Sequence, residues 1–346
     1  MTTPHDDLRR GGGWEWAACG ASVTGSQHVS RGLGCDDAFA YGYVGDFIVA
    51  AVADGAGSVS GTSAWGSHTA CQTVLDMVMQ EDFISGFRAA CATDADAMMR
   101  WVFTGARDGV TRRAESMGLP VGLLATTLSV TIASRDLLIM GQIGDGIIAS
   151  ESGNGIATHL IEDKDEYANT TWFIHSDEAF ERSFRTSAHS GATALALSTD
   201  GMSYKITDIV TGEPFEPFFK GAWQRVRSGA EASDFAALLR DIEDDQTGDD
   251  KTMVLAALRW VEDKYYPSAR PIVRCEVGSP PPAALPAPSH VAPVSRPSDP
   301  PTDAALASEQ PPVMSAAEPV VEKGRHRWRK RRVATPAVSA EPDQAG

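Results

Sequence analysis

Three times in this sequence an apolar run ends in aspartate followed by glycine. FIVAAVA (47–53) delivers Asp54-Gly55, ALALST (194–199) delivers Asp200-Gly201, and LLIMGQIG (137–144) delivers Asp145-Gly146. Two acid pairs stand in comparable places, Asp36-Asp37 in GCDDAFAY and Asp249-Asp250 in GDDKTMVLA. A carboxylate at the end of an apolar strand is costly to desolvate unless positive charge compensates it. A single Asp-Gly pair is an ordinary turn signal, so the constraint lies in the recurrence. Several converging carboxylates repel one another and need a cation between them. Hard divalent ions with oxygen ligands, Mg2+ or Mn2+, meet that need. Glycine after the acid allows close backbone approach, and its carbonyl can itself ligate metal.

The bulk composition, 42% hydrophobic and 22% charged over 346 residues, suits one large globular domain or two small ones. With 46 acidic and 30 basic residues the formal charge is −16. That argues against non-specific nucleic-acid binding and favours cations as partners. The five cysteines, Cys19, Cys35, Cys71, Cys91 and Cys275, are odd in number and lack CxxC spacing. A reducing cytoplasm is therefore expected, without a disulfide framework or zinc site. MTTPHDDLRRGGG has no apolar signal-peptide core, and no run approaches the roughly 20 apolar residues that cross a bilayer.

Composition changes near Tyr266, beyond which lie 16 of the 20 prolines. The expected organisation is a flexible stretch over 1–13, a folded domain over 14–262 and a disordered Pro/Ala-rich tail over 268–346. The tail carries KGRHRWRKRR (323–332), a solvated charge run or a docking patch for an anionic partner. Strands are expected at 16–23, 38–43, 47–53, 126–132, 137–143, 146–150, 192–198 and 252–258, and helices at 63–80, 96–117 and 232–242. Closely spaced strands with long inserted helices suggest a sheet-and-helix sandwich and not a doubly wound sheet.

The ordered series CDDAFA, VADGAGS, ATTLSV, GQIGDG, LSTDG and GDDKT, over about residues 19–258, resembles the metal-dependent protein phosphatases of type 2C. GSQH (25–28) and YANTT (167–171) resemble a bacterial branch of that family. The resemblance implies an α+β fold, an α/β/β/α sandwich of two mainly antiparallel sheets flanked by helices. It implies hydrolysis of phosphoserine or phosphothreonine in proteins by a water activated between two Mn2+ or Mg2+ ions, with a weaker third position. Asp54 would bridge the ions with the Gly55 carbonyl on one of them, Asp200 and Asp249 would ligate one ion, and Asp145 would serve the third position. Asp36 and Asp37 would hold metal-bound water, Asp37 also counting as a ligand. Asp250 stands where the family commonly has an Asn that supports the turn, so Asp250→Asn is expected to keep much activity. Two departures bear on substrate handling. Gly32 occupies the family's phosphate-binding arginine position, which makes neighbouring Arg31 the candidate. Ala56 replaces a histidine that donates a proton in eukaryotic members, which makes His28 a candidate. A cognate Ser/Thr kinase is an expected partner. The competing reading is a catalytically weak phosphatase-fold module that binds a phosphoprotein or kinase.

Overall fold

The computed structural model describes residues 12–57, 61–161, 171–243, 247–262 and 272–277. The chain divides into two units, Met1–Ala287 and Pro288–Gly346, and every described residue belongs to the first. The expectations for residues 1–11, for Tyr167–Thr170 and for the basic cluster 323–332 lie outside the described residues.

The elements run β1 (Gly13–Val23), α1 (Ser26–Arg31), β2 (Ala38–Val44), β3 (Phe47–Ala53), α2 (Ser63–Val78), α3 (Glu81–Ala89) and α4 (Ala95–Met117). They continue with β4 (Leu128–Ala133), β5 (Leu138–Ile143), β6 (Ile147–Ser152), β7 (Gly155–His159), α5 (Asp177–Arg182), β8 (Arg185–His189) and β9 (Ala194–Ser198). The series closes with α6 (Ser203–Ile206), α7 (Glu216–Arg227), α8 (Ala232–Asp241), β10 (Lys251–Val261) and β11 (Ile272–Val277). One sheet has the order β1-β10-β9-β6-β7 and the other β11-β2-β3-β4-β5-β8. Neighbouring strands are antiparallel throughout.

The two sheets face each other across a core that includes Trp16, Phe39, Ile48, Val52, Met140, Leu197 and Val254. The outer face of the six-stranded sheet packs on α2, α3 and α4 through Val49, Leu75, Phe87, Phe103 and Ile139. The outer face of the five-stranded sheet packs on α7 and α8 through Leu255, Phe219, Trp223 and Phe235. This is the expected α+β sandwich in four layers. It also explains why β3 is an unbroken apolar run. Its Ile48, Ala50 and Val52 fill the gap between the sheets while Phe47, Val49 and Ala51 meet the helices, so all seven residues are buried.

The expected domain boundary needs correction. β11 falls inside the segment assigned to the tail, yet it pairs with β2 from Ile272↔Tyr43 to Val277↔Ala38. The proline count of the surrounding chain hides six residues, IVRCEV, of strand-forming character. Helix α7 was also missed. Its apolar positions Phe219, Ala222, Trp223 and Val226 have helical spacing, and Pro217 sits in the first turn, where a missing N–H costs nothing.

Candidate metal centre

Strand register brings the acids together. Ala38 at the start of β2 pairs with Ala53 at the end of β3, so Asp36-Asp37 and Asp54 lie at one end of the six-stranded sheet. Met253 near the start of β10 pairs with Ser198 at the end of β9, which puts Asp249-Asp250 beside Asp200. Ile147 pairs with the same Ser198 and carries the Asp145-Gly146 turn to that end.

The glycines after Asp54 and Asp200 are there for contact. A Cβ on Gly55 would stand 2.6 Å from the Asp36 carbonyl oxygen, and one on Gly201 would stand 2.0 Å from that of Asp250. Any side chain at either place would drive two acid-bearing segments apart.

Hydroxyl and amide donors position Asp36, Asp37, Asp54 and Asp250. The Asp54 amide donates to Thr127 Oγ1 at 3.0 Å, and its carbonyl accepts from Thr126 Oγ1 at 2.9 Å and Thr127 N at 2.8 Å. Thr199 Oγ1 donates to Asp37 Oδ2 at 2.7 Å. Ser63 Oγ donates to Asp36 Oδ2 at 2.7 Å, and Ser67 Oγ, one turn further along α2, donates to the Asp36 carbonyl at 2.6 Å. Asp250 is buried and accepts three hydrogens: Gly25 N–H on Oδ1 at 2.7 Å, and Asp36 N–H at 2.7 Å and His28 Nδ1 at 2.8 Å on Oδ2.

Electrostatics identify which acids crowd one another. Burial, then the charges of Asp37, Asp200 and Asp249, hold the Asp54 carboxyl well above the usual carboxylate range. Asp37 is pushed up by burial and by the Asp250 charge, against the Thr199 hydrogen bond. Burial raises Asp36 as well, and Ser63 and His28 offset part of that. Such a group is unstable as four bare anions and is stabilised by divalent cations. The donor set is all oxygen, which matches Mg2+ or Mn2+.

The structure thus groups Asp37, Asp54, Asp200 and Asp249, with Asp36 and Asp250 braced behind them. Asp145 occupies the β5–β6 turn, where Thr171 Oγ1 is 3.5 Å from its carboxylate and Gln142 Nε2 holds the Gly146 carbonyl at 2.6 Å. Arg31 is not drawn into the group: it is exposed at the end of α1, its guanidinium 3.4 Å from Gln27 Oε1. His28 is buried against Asp250. Sequence reasoning missed Thr199, Ser63 and Ser67 as supports, although Ser63 and Ser67 carry a signal in their spacing of four on one helix face. A cavity of about 630 Å3 under α7 and α8, lined by Cys19, Val226, Phe235 and Leu238, contains none of these acids.

None of the described cysteines forms a disulfide. Cys35 adjoins the acid pair, yet burial and the charges of Asp37 and Asp250 push its thiol well up, and burial alone raises Cys19 to about 12. Neither is a ready nucleophile.

The model of the family described as protein phosphatase 2C matches residues 24–240. The serine/threonine-protein phosphatase 3 of Escherichia coli strain K12 is 30% identical over 263 residues, which is 71% of this chain and 99% of that protein. Among solved structures, the chain is similar to the catalytic domain of the serine threonine protein phosphatase PstP in complex with two manganese ions. That pair shares 15% identity over 71% of this chain and 99% of the other, with a TM-score of 0.45. A bacterial serine phosphatase matches at 15% identity over 69% and 96%, with a TM-score of 0.47. On the family match and the relative of full length, the chain belongs to the protein phosphatase 2C family.

Proposed function

We propose that the chain is a metal-dependent phosphatase of phosphoserine and phosphothreonine in proteins. The observation that carries this reading is the convergence of Asp37, Asp54, Asp200 and Asp249 from four separate strand ends onto one mutually repelling group. These four side chains and the Gly55 carbonyl would hold two divalent ions, Mn2+ or Mg2+, with Asp145 serving a weaker third. Ions bound there neutralise the carboxylates, lower the pKa of water and stabilise charge on the phosphoryl oxygens.

The chain's own residues do the positioning. Thr126 and Thr127 hold both the N–H and the carbonyl of Asp54, so its carboxylate enters the site from a fixed strand end. Thr199 holds Oδ2 of Asp37 and so restricts its rotamer. Ser63 does the same for Asp36. With metal bound, the group would supply activated water as the nucleophile, so no phosphorylated enzyme is required. The protonated thiols of Cys19 and Cys35 agree with that. The cysteines, none of which forms a disulfide, support a cytoplasmic location, and among the described residues no helix is long and apolar enough to cross a membrane.

The test is phosphate release from a phosphothreonine peptide. Release that requires added Mn2+ or Mg2+, stops in EDTA and survives thiol alkylation supports the reading. Activity that alkylation destroys while metal has no effect would assign the chemistry to a cysteine.

A further inference from the structure

Two histidines stand outside the acid group, His159 at the end of β7 and His189 at the end of β8. β7 is an edge strand of the five-stranded sheet and β8 an edge strand of the six-stranded sheet. We propose that these two imidazoles form a second metal site, for the borderline transition ion Zn2+, which staples the two sheets together at their edges. The proposal is independent of the phosphatase reading.

The rings are spaced as two ligands of one ion would be. Their centroids lie 4.6 Å apart with 48° between the planes, so they meet without stacking. An ion bound to nitrogen at about 2.0–2.1 Å stands about 3.2 Å from the ring centroid, and two rings at about 90–100° around it have centroids about 4.5–5 Å apart. Each ring also has the outer support that a metal-bound imidazole needs. His159 Nε2 is 2.8 Å from Ser150 Oγ, and His189 Nε2 is 2.8 Å from Ser187 Oγ. With Nε2–H donated to the serine oxygen, each ring keeps its lone pair on Nδ1, and the hydroxyl fixes both tautomer and orientation.

The surroundings supply room and the right sign of charge. The pair lines a cavity of about 700 Å3 together with Cys91, Asp136, Asn154 and Ser190. Among the described residues that line it there is no lysine or arginine, and Asp136 is the one carboxylate. Asp136 and Asn154 belong to the β4–β5 and β6–β7 turns, whereas Asp145 sits in the β5–β6 turn at the other end of those strands. The cavity is therefore separate from the acid group. Among the described residues no third imidazole, thiol or carboxylate comes close enough to the pair to complete a cage of protein ligands. Water fills the remaining positions, which leaves the ion exchangeable. Ligand chemistry separates the two centres, since carboxylates suit hard Mg2+ or Mn2+ while imidazoles favour Zn2+. Cysteine spacing gives no sign of this site because thiolates are not its donors.

The test is calorimetric titration of the metal-free full chain with Zn2+ in wild type, His159→Asn, His189→Asn and Asp54→Asn. One Zn2+ binding event persists in Asp54→Asn and weakens at least about 10-fold in each histidine variant, no less than the loss of an outer support costs. The ion joins the sheets only in the folded state, so Zn2+ raises the unfolding midpoint of Asp54→Asn by several degrees. It leaves that of the Asp54→Asn/His189→Asn double variant unmoved. His189 is exposed, so its replacement leaves the fold in place, and unchanged Mn2+ binding in His189→Asn checks this. Zn2+ binding of equal strength in wild type and both histidine variants would overturn the proposal, as would the absence of any Zn2+ binding in Asp54→Asn.

Discussion

Asp249 and Asp250 are adjacent and chemically identical, yet their surroundings give them different work. Asp250 is buried and its carboxylate accepts three hydrogens. Asp249 remains partly exposed and presses electrostatically on Asp54. The resemblance implies that Asp250→Asn keeps much activity, and the hydrogen bonds add a cost in stability. An amide has one acceptor oxygen, so whichever way it turns, its NH2 faces the amide of Gly25 or of Asp36. One buried N–H is then orphaned at a cost of about 1–3 kcal/mol. We predict that Asp250→Asn lowers the midpoint of thermal unfolding in the absence of metal, and an unchanged midpoint would refute this account of the residue. Asp54→Asn should do the reverse. It removes one charge from a repelling set and raises metal-free stability by about 1 kcal/mol, while phosphopeptide turnover falls at least ~1,000-fold. A melting curve and a phosphate assay on the same sample check both halves.

At the scale of elements, the strands that carry the acids were legible because their signal is local: β3, β5, β9 and β10 are apolar runs with an acid at one end. Edge elements were harder to read. Strands β7 and β8 are polar and half-exposed, GIATH and RTSAH, and their pairing with β6 and β5 comes from tertiary register and not from composition. They bring His159 and His189 together across the two sheets, ring centroids 4.6 Å apart. Burial first, and the facing His189 second, lower the His159 pKa to about 4. The folded protein therefore keeps His159 neutral where an unfolded chain, with an ordinary histidine pKa of about 6.5, has bound a proton. Between those values the unfolded state holds more protons, so this contribution to stability is present above pH ~6.5 and is lost as pH falls toward 4. We predict that wild-type protein loses more thermal stability between pH 7.5 and 5 than His159→Asn does. Parallel loss in the two proteins would rule out His159 as a source of the acid sensitivity.

At the scale of the whole molecule, the layered fold and the order of the acids along the chain could be read from the sequence. The contacts that brace the site could not, because His28 and Asp250 are separated by 222 residues, and no local pattern announces such a pair. The tail boundary failed for a related reason: β11 is defined by its partner β2 and not by its neighbours in the chain. Removing residues 268–346 is thus predicted to strip an edge strand from the six-stranded sheet and lower the unfolding midpoint by a few degrees, about 1 kcal/mol. A cut after Ala287 should leave it unchanged. The claim on which the whole account depends is that acids from four strand ends form one cation site. Calorimetric titration of metal-free full-length protein with Mn2+ measures this directly. The account predicts saturable binding in wild type, loss of most of that binding in Asp54→Asn and in Asp249→Asn, and its retention in Asp250→Asn. Saturable binding that survives Asp54→Asn but disappears in Asp250→Asn would contradict it.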